Sequence, residues 1–215
     1  MAEQIVTAGE IFARLGDILR DNIGPVAGCV VGLTAANVAL DAISTGTGGT
    51  IPAGIASLAA QYYLTASSLE RLGLRAPGGR NRFGAFWGLN ILSGLGILLG
   101  YLVLILPGLY LSARWVAASA ALLAQDGRVN DALGESWTIT KPSLWPIIGT
   151  LLVIFVPALI IGIGLNLLFE TSLPLVGSAI LYLFMSGALA VSWLAGVAIY
   201  SLLKPGVSQL AEVFA

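Results

Sequence analysis

FGAFWGLNILSGLGILLGYLVLILPGLYLSARWVAASAALLA, Phe83 to Ala124, carries one charged side chain, Arg114. As a single straight helix it would measure roughly 63 Å, about twice the ~30 Å hydrocarbon core of a bilayer. So apolar a rod does not project into water, so the chain must turn back on itself. Pro107-Gly108 is the expected break, because proline cannot continue the hydrogen-bond ladder and glycine tolerates the turn. That divides the stretch into spans over 84–106 and 109–124.

The rest of the chain has the same character. Of 215 residues, 57% are hydrophobic and 10% charged, against about 25% charged in ordinary soluble domains. Too few charges remain to cover a soluble surface, so an all-α polytopic membrane protein is expected, one membrane domain over 1–215. Further spans are expected near 23–42, 51–69, 143–168 and 175–203, six in all, arranged as three hairpins. Two amphipathic helices should lie at the membrane surface. In 3–21, Ile5, Ala8, Phe12, Leu15 and Leu19 oppose Glu10, Arg14, Asp17 and Asp21. In 129–141, Val129, Leu133 and Trp137 share a face, with Asn130 as the expected cap and Asp131 at the positive helix end.

Six spans place both termini, residues 70–82 and residues 125–142 on one side. Arg14, Arg20, Arg71, Arg75, Arg80, Arg82, Arg128, Lys141 and Lys204 all fall there, and the opposite loops near 43–50 and 169–174 hold no Lys or Arg. The positive-inside rule then makes the termini cytoplasmic.

Composition also excludes chemistry. The chain has no histidine and one cysteine, Cys29, which removes the commonest general base and metal ligand and any intrachain disulfide. The carboxylates are scattered, and neither a phosphate loop nor a nucleophile elbow occurs. No catalytic residue, cofactor or metal is expected. The net charge of −1 offers no field for nucleic acid.

ILPGLYLSARWVAASAALLAQDGRVNDALGESWTITKPSLW resembles the signature region of the glycerophosphodiester phosphodiesterase membrane-domain superfamily, which includes the YciC-type bacterial inner-membrane proteins. Pro107, Gly108, Tyr110, Leu111, Arg114, Trp115, Ala132, Leu133, Ser136, Trp137, Thr140 and Lys141 carry the likeness. The resemblance implies a six-helix bacterial inner-membrane domain. Some relatives are fused to a catalytic phosphodiesterase domain, to which the likeness does not extend.

Several residues invite a role. A centred arginine costs about 2.5–3.5 kcal/mol on insertion scales, so Arg114 should find Glu135, Asp131, Asp126 or freed backbone carbonyls, or else an anionic ligand. Asn37, Gln61, Asn90 and Asn166 either line a polar cavity or hydrogen-bond neighbouring helices. Gly24, Gly28 and Gly32, with Gly96 and Gly100, form small faces for packing within the chain or against a partner. Trp87, Trp115, Trp137, Trp145 and Trp193 read as interface anchors. The functional expectation is a non-enzymatic inner-membrane scaffold or accessory subunit that binds lipids, other membrane proteins or a second copy. The alternative is a small transporter or lipid-handling protein with Arg114 on an anionic cargo.

Overall fold

The computed structural model describes residues 5–43, 49–75, 82–125, 127–169 and 174–204, and the elements they form are helical. In chain order these are α1 (Ala8–Asp21), α2 (Ile23–Ile43), α3 (Thr50–Arg71), α4 (Phe83–Val103), α5 (Ile105–Trp115), α6 (Ala118–Ala124), α7 (Val129–Ile139), α8 (Leu144–Phe169) and α9 (Pro174–Leu203). α2, α4, the α5–α6 run Ile105–Ala124, α8 and α9 are long and apolar enough to cross a membrane. α3 matches α2 in length but carries Gln61, Thr65, Ser67 and Ser68, and it is not among those five. Apolar side chains cover the outside: Leu95, Leu98 and Leu99 of α4 and Leu159, Ile160 and Ile163 of α8 are exposed. The core mixes large side chains such as Ile11, Leu69, Phe86 and Ile147 with small ones, among them Ala113, Ala117, Ala120, Ala121, Ala195 and Ala198. Small residues at helix contacts with large apolar ones outside suit a bundle whose surroundings are lipid.

The break in the long apolar run falls at Leu104, not at Pro107-Gly108. Leu104 is extended (φ −166°, ψ 152°) and is the N-cap of α5. Pro107 then sits in the first turn of α5, where its missing N–H has no helical acceptor to lose. The expected spans 84–106 and 109–124 accordingly become 83–103 and 105–124. α5 runs back along α4: a Cβ on Gly96 would fall 2.6 Å from the Trp115 ring, and one on Gly100 would fall 2.9 Å from Gly108 Cα. Gly108 itself lies against the Tyr101 ring. The Arg82 guanidinium, at the start of α4, completes the pair by donating to the Leu122 carbonyl (3.0 Å) and the Gln125 carbonyl (2.5 Å) at the end of α6.

α1 packs against the bundle by one face. Its buried residues are Ile11, Leu15 and Ile18, which join the core alongside α8 and α9 residues, while Ile5 is exposed. Thr7 and Glu10 form a capping box, and the two bonds from Thr7 hold the Glu10 carboxyl below its usual pKa. The N-terminal segment is further fixed by Val6 N–H donating to Ser143 Oγ, 2.8 Å. In α7 the cap is Arg128, whose N–H donates to Asp131 Oδ2 at 3.0 Å. Asn130 lies inside the helix instead of capping it, because the cap falls two residues earlier.

One end of the bundle gathers polar ties. Arg71 donates to the Asp21 carbonyl, Arg75 pairs with Glu70 at 3.0 Å, Arg14 donates to Ser201 Oγ at 3.2 Å, and Lys204 pairs with Glu135. Arg80 and Asp126 lie outside the described residues.

Candidate functional site

Arg114 is 3% exposed and lies in the last turn of α5. Tyr110 precedes it by one helical turn, so both point to the same face. Trp137 of α7 covers that face. The Arg114 guanidinium carbon lies 4.4 Å from the Trp137 ring centre and 5.6 Å from that of Tyr110. The rings brace one another: Tyr110 meets Trp137 edge-on at 5.6 Å, and Trp115 meets it at 6.2 Å. The cation therefore rests on π faces, an attraction worth about 0.5–2 kcal/mol. Its Nε and Nη1 are buried without a hydrogen-bond partner.

The expected carboxylates go elsewhere. Glu135 accepts from Gln125 Nε2 at 2.5 Å and pairs with Lys204, and Asp131 serves the α7 cap. The reason is angular. Glu135 neighbours Ser136 in sequence and so points about 100° away from it around α7. Ser136 is the residue that faces Arg114, and its hydroxyl donates to the Arg114 carbonyl at 2.8 Å. Thr140 Oγ1 lies 3.4 Å from the same carbonyl and 2.7 Å from the Ser136 carbonyl. The Arg114 carbonyl is one of the orphan acceptors at a helix C-terminus, and α7 supplies its donors. What joins Arg114 to α7 is thus its backbone carbonyl and its ring contacts, not an ion pair. Tyr110, Arg114, Trp115, Ser136, Trp137 and Thr140 converge on one contact that docks α7 against α5.

A second feature lies between α3, α4, α5, α6, α8 and α9. A cavity of 240 Å³ is lined by Gln61, Asn90, Ser93, Ser112, Ser119 and Ser192 among others, with Trp115 and Trp193 in its wall. Gln61 Nε2 reaches Ser119 Oγ at 3.5 Å, a bond between helices. Asn90 and Asn37 instead turn back to carbonyls of their own helices, Phe86 (2.9 Å) and Leu33 (2.8 Å). Asn166 is exposed towards the end of α8, apart from both Arg114 and the cavity. The serines escaped the sequence reading because single serines in apolar helices carry no local signature. Trp115, Trp137 and Trp193 are half-buried, while Trp87 and Trp145 are exposed.

The glycine faces divide. Gly96 and Gly100 are filled by α5, as above. Gly24, Gly28 and Gly32 have nothing within 4 Å of where a Cβ would stand, and they are exposed on α2 together with Ala35 and Ala39.

The fold and site define an all-helical protein with the apolar helices of a membrane-embedded chain. Comparison with protein-family models, with curated proteins and with solved structures finds no match.

Proposed function

We propose that the protein is a non-enzymatic, six-crossing scaffold or accessory subunit of the bacterial inner membrane, with both termini cytoplasmic. The outward small-residue ridge of α2 carries this reading. Glycines spaced four apart let a second helix approach closely in lipid, where packing rather than the hydrophobic effect drives association. On α2 that capacity is not used by the chain's own bundle. The occupant is another transmembrane helix, from a second copy or a different membrane protein.

Six crossings are supported by α3, whose length equals that of a span and whose polar residues Thr65 and Ser68 are buried. The cytoplasmic orientation is supported by the basic residues gathered at the end that holds Val6 and Lys204. The resemblance of Pro107–Lys141 to the glycerophosphodiester phosphodiesterase membrane-domain superfamily points the same way. Transport or lipid handling through Arg114 has less support. The guanidinium is sealed under Trp137, and Arg114 is not among the residues that line the cavity.

The test places a photo-cross-linking residue at position 28 or at position 100 and irradiates native membranes. Protein adducts at position 28, lost when Gly24 and Gly32 are changed to leucine, are expected. Lipid adducts alone at position 28 would refute the scaffold. Tags on the two termini that are protected on opposite faces of sealed vesicles would refute the topology.

A further inference from the structure

The geometry points to the 240 Å³ cavity as a binding site for a neutral, hydroxyl-rich group, such as a sugar ring or a short polyol. This inference is independent of the α2 reading. The lining residues come from the middle of their helices, among them Gln61 of α3, Asn90 and Ser93 of α4, Ser112 of α5 and Ser192 of α9. Convergent polar groups around a cavity in an apolar setting are the arrangement of a ligand site.

The direction of the protons decides the ligand class. Ser93 donates to the Leu89 carbonyl (2.8 Å), Ser112 to the Gly108 carbonyl (2.9 Å) and Ser192 to the Leu189 carbonyl (2.8 Å). Asn90 Nδ2 donates to the Phe86 carbonyl (2.9 Å), which fixes the amide so that Oδ1 is its free end. Gln61 Nε2 is turned towards Ser119 Oγ. The hydroxyls of Ser93, Ser112 and Ser192 and one amide N–H each of Asn90 and Gln61 are therefore spent within the protein, and these groups turn acceptor lone pairs to the cavity. A ligand that satisfies them must bring donors. An ammonium group has donors, but the lining holds no carboxylate to offset a bare charge among apolar helices. Hydroxyls donate without charge, and a sugar ring can stack its apolar face on Trp115 or Trp193. A volume of 240 Å³ is large enough for one such ring.

The hydroxyls can belong to a free solute or to a lipid headgroup, and the experiment separates the two. The protein is held in octaethylene glycol monododecyl ether micelles, which carry neither sugar nor ammonium. Tryptophan fluorescence is titrated with glucose, with monoglucosyl diacylglycerol and with methylammonium. A saturable change with glucose identifies a solute site, and one with the glucosyl lipid alone identifies a headgroup site. Either result supports the inference if half-saturation rises at least tenfold in Ser112→Ala/Ser192→Ala and in Asn90→Leu while the melting temperature holds. No saturable change with either sugar probe would overturn it. So would a sugar response that the variants leave unmoved, or saturation by methylammonium in place of the sugars.

Discussion

The α4–α5 pair and α2 use glycine at the same helical spacing to opposite ends. In the first, Gly96 and Gly100 face Trp115 and Gly108, and the gap a side chain would occupy is filled by the neighbouring helix. In the second, Gly24, Gly28 and Gly32 face outward with that gap empty, and Leu33 is the one buried residue of the helix. A GxxxG pattern states that close approach is permitted. Which helix approaches depends on rotation about the helix axis, and that depends on what else the helix must bury.

The largest expected effect comes from filling the occupied gap. Gly100→Leu drives a side chain into the α5 backbone at Gly108, which cannot move without displacing the turn at Leu104. Overpacking of this kind costs about 1–3 kcal/mol, occasionally more. A clear fall in melting temperature in mild detergent is expected, and an unchanged melt would show that α5 does not run back along α4. The matching change on α2, Gly28→Leu, should leave the melt of the isolated chain where it was.

The α5–α7 dock comes next. Arg114→Ala removes the cation from its rings and opens a void beneath Trp137. It should lower stability by about 2 kcal/mol, with the ring attraction accounting for about 0.5–2 kcal/mol of that. Arg114→Lys should not rescue it, since a compact ammonium stacks less well than a planar guanidinium. A double-mutant cycle with Trp137→Leu isolates the pair, and a coupling energy near zero would remove the cation–π account. Ser136→Ala should cost less, about 1 kcal/mol, because Thr140 still reaches the Arg114 carbonyl.

Much of this architecture was legible in the sequence, and the omissions share a cause. Apolar content alone announced the helices. The Tyr110–Thr140 segment stood out because its aromatic and hydroxyl residues are unusual among aliphatics. Faces were harder. α1 has a strong amphipathic pattern, and its expected stripe shares Leu15 with the buried face but takes Phe12 and Leu19 where Ile11 and Ile18 are buried. α2 and α8 are apolar all round, so periodicity cannot say which side is inner. Pro107-Gly108 reads as the turn because those residues break helices in general. A proline in a first turn breaks nothing, and the actual break needed only extended backbone at Leu104, which leaves no trace in composition. Arg114 was given carboxylate partners because charge pairs are the usual remedy for a buried cation, whereas the aromatic pair Tyr110 and Trp137 fills that place.

The smallest effect separates the two glycine faces most sharply. Gly28→Ala adds one methyl where there is nothing within 4 Å. Alanine is the better helix former, by roughly 0.5–1 kcal/mol in water, so the isolated chain should be as stable as before or slightly more so. An approaching helix would meet that methyl at closest contact. If α2 docks a partner, the same change must weaken association while it strengthens the chain. Melting temperature and cross-linking yield from an adjacent α2 position should then move in opposite directions. Two quantities rising together would mean that lipid alone covers the α2 ridge, and that its glycines serve nothing beyond its own fold.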